Sequence, residues 1–202
     1  MTKIKLCGLS RICDIETANE LKPEYIGFVF AKKSKRYVSP AKAAELKKLL
    51  LPEIKAVGVF VNESPEFIAE LMQKGTIDMA QLHGDEDETY ISRLRLLTDK
   101  PIIKAFQISK KSDIDKVKQS TADFVLLDSG AGTGTVFDWN YIKNITIPYF
   151  LAGGLSDDNV EGAIKFLHPY AVDVSSGIEI NGYKDKIKTA AFVAAVRKED
   201  VI

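Results

Sequence analysis

The sequence predicts an α/β fold: a single (β/α)8 barrel of the TIM type over residues 1–202, with eight parallel strands inside an outer ring of helices. Three observations lead there. Short apolar runs alternate with helical patterns from end to end, a pattern that gives parallel strands joined by right-handed crossovers. Eight such runs can be counted, and their carboxyl ends fall 22 to 30 residues apart. Several runs are almost continuously apolar, as strands covered on both faces are. An open doubly wound sheet would use fewer strands and a glycine-rich first turn, and Cys7-Gly8-Leu9-Ser10 is not that fingerprint. Eight units in 202 residues suit the small end of the barrel's size range.

The chain opens on its first strand, Ile4–Cys7, with Gly8 and Ser10 forming the turn behind it. Further strands are read at Tyr25–Phe30, Lys55–Phe60, Met79–Leu82, Ile102–Phe106, Phe124–Leu127, Tyr149–Ala152 and Ala171–Val174. Between them lie helices with start signals. Ser39-Pro40 is an N-cap followed by proline, with Ala43, Leu46, Leu49 and Leu50 as the apolar stripe. Ser64-Pro65 repeats the device before Phe67, Ile68, Leu71 and Met72, and Gly75 stops that helix. Lys110–Gln119 offers only Ile114 and Val117, which leaves the fifth helix open to irregularity. Ser156 starts another helix, with Asp157 and Asp158 at its positive end. Ile187, Ala190, Ala191 and Ala194 give the last helix a face of small residues.

Composition narrows the functional classes. Lys plus Arg and Asp plus Glu balance at 28 each, so charge gives no argument for a nucleic-acid or membrane partner. No apolar run approaches ~20 residues, so nothing reads as a bilayer span. The start Met1-Thr2-Lys3 reads as having no signal peptide. Cys7 and Cys13 form no Cys-x-x-Cys pair, and His83 and His168 lie far apart, which argues against a metal site and for a reduced, cytoplasmic protein.

In such a barrel, function gathers at the carboxyl ends of the strands. Cys7 ends the first strand; taken alone it is either a packing residue or a chemical group. Asp128 ends the sixth, where a carboxylate must be solvated, paired or protonated. In a half-buried mouth its pKa should rise, which suits a general acid; a loop hydrogen bond is the plainer alternative. Arg36 sits in the basic loop Lys32–Tyr37, either as one of several solvated charges or as a planar fork for a substrate carboxylate. Gly153-Gly154 after strand seven and Ser175-Ser176-Gly177 after strand eight fall where such barrels bind phosphate, so they are read as a phosphate cradle of backbone amides and hydroxyls, with plain glycine turns as the alternative. Neither loop holds a lysine, and Lys184 is read as a distant helper. Gln81 and His83 either line the pocket or make a structural hydrogen bond. Gly132-Thr133-Gly134-Thr135 resembles a lid or a ligand-contacting turn. His168 reads as structural, at the opposite end, and Cys13 as packing.

Taken in order, these motifs resemble the phosphoribosylanthranilate isomerase family over essentially the whole chain. They are Lys5-Leu6-Cys7-Gly8-Leu9, Ser34-Lys35-Arg36-Tyr37-Val38, Gln81-Leu82-His83-Gly84 and Leu127-Asp128-Ser129 with Gly132-Thr133-Gly134 and Phe137-Asp138-Trp139. Ala152-Gly153-Gly154-Leu155 with Asn159-Val160, Asp173-Val174-Ser175-Ser176-Gly177-Ile178-Glu179 and Gly182-Tyr183-Lys184-Asp185 complete the set. Lys35 stands where the family usually has proline, and Thr135 where it often has lysine.

The resemblance implies an Amadori rearrangement of N-(5-phosphoribosyl)anthranilate in tryptophan biosynthesis. It carries Asp128 over as general acid, Cys7 as general base and Arg36 as the clamp on the anthranilate carboxylate. A thiolate base requires a lowered pKa or cationic neighbours. Lys5, two residues before Cys7 and on the same face, could supply that field, or be balanced by an acid within the barrel. The implied reaction needs no metal and no redox cofactor, and the implied partner is a small phosphorylated substrate, with the chain a monomer or homodimer. Two alternatives stay open: another phosphosugar barrel, such as an epimerase or an indole-forming synthase, and a non-catalytic barrel that binds a phosphorylated ligand.

Overall fold

The computed structural model describes residues 1–128, 139–142, 145 and 147–198. Eight parallel strands close into a barrel in sequence order. They are β1 Lys3–Cys7, β2 Tyr25–Val29, β3 Lys55–Phe60, β4 Met79–Leu82, β5 Ile102–Gln107, β6 Phe124–Asp128, β7 Tyr149–Leu151 and β8 Ala171–Val174. Every expected strand is present, with ends within a residue of the sequence reading. Closure is made by β1 against β8, with Lys5 opposite Asp173 and Leu6 opposite Val174.

Period-two alternation divides the strands between two cores. One set of positions, including Tyr25, Val57, Met79, Ile103, Leu126 and Phe150, fills the barrel interior. The other, including Ile4, Leu6, Ile26, Phe28, Ala80, Leu82, Val172 and Val174, packs outward under the helices. Tyr25 and Phe124 both lie against Phe150, at ring-centroid distances of 5.3 and 5.8 Å. Cys7 packs one layer higher, with Val29 and Val59.

The helices begin where their caps place them. α1 is Ile12–Leu21, α2 Pro40–Leu49, α3 Pro65–Gln73 and α4 Glu88–Arg95. Ser39 Oγ accepts from the Lys42 amide and Ser64 Oγ from the Phe67 amide, each ahead of a first-turn proline. Gly75, at φ 70°, follows α3 in the left-handed region. The fifth connection forms a short regular helix, α5 Asp113–Lys118, held by Ile114 and Val117. Asp113 Oδ2 accepts from the amides of Ser109 and Lys110, which organises a start that apolar content alone left uncertain.

Three expectations are corrected. α6 spans Val160–Leu167, starting four residues after Ser156. Ser156 instead donates its amide to Asn159 Oδ1, so it opens the turn ahead of the helix. α7, Lys186–Lys198, buries Thr189, Phe192, Val193 and Val196 and leaves Ile187 exposed, so large residues rather than the alanines face the barrel. On α2, Ala43 and Leu46 are buried but Leu49 is half exposed, because the helix turns that position outward. Between β6 and β7 the described residues hold a 3-10 turn, Trp139–Tyr141, and no α-helix. The sequence reading did not foresee a small antiparallel hairpin after β8, formed by β9 Glu179–Ile180 and β10 Tyr183–Lys184.

Leu46→Ala should lower the unfolding free energy by about 2–5 kcal/mol, since it empties a sealed position. Leu49→Ala should change it by less than about 0.5 kcal/mol. Urea denaturation of both variants checks this, and equal losses would restore Leu49 to the apolar stripe.

Candidate active site

The strand ends of one parity meet at the carboxyl end of the barrel, around a cavity of roughly 300 Å³. Its walls include Cys7, Arg36, Gln81, His83, Asp128, Gly153, Gly154, Ser175 and Ser176. The thiol and the acid read from the sequence therefore open into one space, from β1 and β6. Gly177 does not line it. A Cβ there would stand 2.0 Å from the Leu155 carbonyl oxygen, so Gly177 serves to let the loop after β8 press against the loop after β7. Gly153 and Gly154 take φ 89° and 66°, conformations that L side chains rarely adopt.

Cys7 is buried, and the absence of a side chain at Gly27 makes room for it: a Cβ there would lie 2.7 Å from Sγ. Burial pushes the thiol above its ordinary pKa, a pull that the ammonium groups of Lys5 and Lys184 oppose. The lowered pKa expected for a thiolate base is thus absent, while the expected cationic neighbours are present. Lys5 is fully buried and fills both of the roles foreseen for it. It stands beside Cys7, and its Nζ lies 2.9 Å from Asp173 Oδ1. Burial pulls the Lys5 pKa down, and Asp173 and Cys7 together outweigh that and raise it.

Across the cavity Gln81 Nε2 and His83 Nδ1 are 2.8 Å apart, and His83 Nε2 lies 3.5 Å from Asp128 Oδ2. Gln81 and His83 thus both line the mouth and share a hydrogen bond. Gln81 Oε1 is buried without a hydrogen-bond partner.

Arg36 departs from the sequence reading of an open fork. Its Nε and Nη2 donate to the two carboxylate oxygens of Glu179, at 2.6 and 2.8 Å. Lys184 is not distant. It sits on β10, opposite Glu179, and donates to Ser175 O at 2.9 Å, Ser175 Oγ at 3.1 Å and Glu179 Oε1 at 2.6 Å. The Ser175 hydroxyl in turn donates to the Cys7 carbonyl at 3.1 Å. That hydroxyl is committed to the scaffold, which leaves Ser176 as the exposed hydroxyl of the loop. The role of Glu179 is not visible in the sequence motif that contains it. Only Lys184, five residues on, is near it in sequence; Arg36 reaches it from 143 residues away, which no local signal announces.

Cys13 is exposed on α1, not packed. His168 caps the carboxyl end of α6 at φ 47°, away from the mouth. Gly132-Thr133-Gly134-Thr135, with Ser129, Phe137 and Asp138, lies outside the described residues.

Fold and mouth together define a protein of the (β/α)8-barrel class, whose enzymes carry their chemistry at the carboxyl ends of the strands. Residues 4–195 match the sequence model of the family described as N-(5'phosphoribosyl)anthranilate (PRA) isomerase. The chain is 47% identical to N-(5'-phosphoribosyl)anthranilate isomerase of Thermoanaerobacter pseudethanolicus, over 98% of both chains. Among solved structures, the phosphoribosyl anthranilate isomerase of Thermotoga maritima superposes with a TM-score of 0.90 at 34% identity, covering 98% of this chain and 100% of that one. A phosphoribosyl anthranilate isomerase in complex with reduced 1-(o-carboxyphenylamino)-1-deoxyribulose 5-phosphate gives a TM-score of 0.88, with the same identity and coverage. This chain belongs to the N-(5'-phosphoribosyl)anthranilate isomerase family.

Because burial raises the Cys7 pKa, the thiolate should be scarce at neutral pH and grow in only above the pH at which a free thiol ionises. In a Cys13→Ser background, the ultraviolet absorbance of the thiolate should rise late. Lys5→Met, which removes an opposing charge, should delay it further. A variant that ionises earlier would contradict the assigned role of Lys5.

Proposed function

We propose that this barrel isomerises N-(5'-phosphoribosyl)anthranilate to 1-(2-carboxyphenylamino)-1-deoxyribulose 5-phosphate, a step of tryptophan biosynthesis, by general acid and base catalysis in one domain. The observation that carries the reading is the shared opening of Cys7 and Asp128, with the two glycine-bearing loops at its rim. In the first step Asp128 gives its proton to the furanose ring oxygen. The C1–O bond breaks, and the nitrogen lone pair forms a C=N bond, leaving a cationic Schiff base. In the second step the thiolate of Cys7 takes the proton from C2. The released pair forms the C1=C2 bond and returns the C=N electrons to nitrogen, giving an enolamine. Loss of the C2 hydroxyl proton and protonation of C1 then leave the ketone.

The raised pKa of Cys7 fits this order. In the empty site a neutral thiol avoids the cost of a buried anion. Once the ring has opened, the cationic Schiff base joins Lys5 and Lys184 in favouring the thiolate, and the thiol gives up its proton to water in the open mouth before it takes the one from C2. Backbone amides around Gly153, Gly154 and Ser176 hold the phosphate in this reading, while Gly177 keeps the two loops in contact. Arg36 takes the anthranilate carboxylate, with the guanidinium edge that Glu179 does not occupy. A free thiol as base goes with a reducing, cytoplasmic setting and two unpaired cysteines. No helix among the described residues is long and apolar enough to cross a membrane. The chain acts as a monomer or homodimer.

Cys7→Ala and Asp128→Asn should each cost at least about 10²–10⁴ in kcat, the usual worth of one acid or base. Both should still bind a reduced product analogue within a few-fold of the parent protein. Following the loss of substrate fluorescence gives kcat, and calorimetry gives affinity. A Cys7→Ala protein that keeps most of its turnover removes the base assignment.

A further inference from the structure

One carboxylate behind Arg36, at the edge of the mouth, has no part in the proton transfers. Glu179 is largely buried, and both of its oxygens are taken by cations from two different segments. Arg36 grips it in bidentate fashion at 2.6 and 2.8 Å, and Lys184 adds a contact at 2.6 Å. We infer that Glu179 is a specificity-determining positioning residue: with Lys184 it ties Arg36 to the loop after β8, fixing the spacing between a carboxylate clamp and a phosphate cradle, so that the site favours ligands carrying both anions at once. The inference deepens the reading of Arg36 given above and rests on it.

The tie is continuous. Arg36 comes from the loop after β2, and its stem lies across the exit of β1, where a Cβ on Gly8 would meet Cδ at 2.5 Å. Glu179 receives its guanidinium. Lys184 joins Glu179 to both the carbonyl and the hydroxyl of Ser175. Ser175 is bonded back to the Cys7 carbonyl, which closes the circuit on the strand that bears the thiol. One end of the ligand is thereby referenced to the other through three side chains and not through a mobile arginine alone.

A guanidinium carries its donors on more than one edge. Glu179 engages the edge made by Nε and one hydrogen of Nη2. The edge formed by Nη1 and the other hydrogen of Nη2 is left to meet a second carboxylate. Displacement of Glu179 by the ligand is disfavoured, because Glu179 pairs with Lys184 in the β9–β10 ladder and the hairpin is pinned by the Asp185 amide donating to Ile178 O. Charge supports the same division. Two cations share one carboxylate, so the cluster keeps one net positive charge for an incoming anion. Burial would raise the pKa of Glu179, but hydrogen bonds from Arg36 and Lys184 outweigh it and keep the group ionised.

The test compares two probes on the intact protein by calorimetry: the reduced carboxyphenylamino deoxyribulose phosphate, and the same compound without its carboxylate. The parent protein should prefer the first. Glu179→Gln keeps the size but cannot bridge two cations, and should cut that preference about tenfold while changing affinity for the carboxylate-free probe by less than about twofold. Glu179→Asp should restore part of the preference. An unchanged preference in Glu179→Gln, or an equal loss for both probes, overturns the inference. If the parent protein shows no preference, the clamp reading of Arg36 fails instead, so the two failures are told apart. If Glu179→Gln does not fold, Lys184→Met carries the test: a preference reduced at least about threefold supports the tie, and an intact one overturns it.

Discussion

The structure turns on the seam between β1 and β8. Closing a parallel barrel commits every strand to one inward parity, and here the seam sets that parity with Lys5 opposite Asp173. A slip by one residue would turn Lys5 and Cys7 into the layer beneath the helices, now filled by Ile4 and Leu6, and would bring those two inside. The ion pair at 2.9 Å is a poor source of net stability, because desolvating two charges offsets most of their attraction. Its consequence is positional. An ammonium that cannot leave the barrel stands under the thiol, and a carboxylate keeps it charged.

Seen from that seam, the mouth is organised as two halves of different character. On the side of β1 and β8, Lys5 with Asp173, and Arg36 with Glu179 and Lys184, surround Cys7 with cations that each answer to an acid. On the side of β4 and β6, a chain of polar contacts runs from Gln81 through His83 to Asp128. The proposed base therefore sits in a field that favours its anion, although burial resists ionisation. The proposed acid sits beside an imidazole. Two groups of opposite task are kept in different surroundings, a common way for one cavity to hold an acid and a base together.

Much of this was legible in the residues. Strand–helix alternation gave the barrel, and strand ends gave the map on which Cys7, Asp128, Gly153, Gly154 and Ser175 could be placed, because both depend on local periodicity. What escaped depends on contacts across many residues. Arg36 read as an open fork because nothing local announces that Glu179, far along the chain, will reach it. Lys184 looked remote because its hairpin, closed across Gly182, folds back over the mouth. The start of α6 was misplaced because a serine cap and an Asx-type turn share one local signature, and Ser156 serves the turn. Gly177 passed as a ligand-facing glycine, although its reason is the approach of another backbone.

The seam also joins the first strand of the barrel to the eighth. Cys7 is made well before Asp173, Ser175 and Lys184. During synthesis β1 must wait with one flank unpaired until β8 emerges, and an open strand edge is a template for the wrong neighbour. Lys3 and Lys5 on that waiting strand carry the charge that makes such an edge unattractive to another chain.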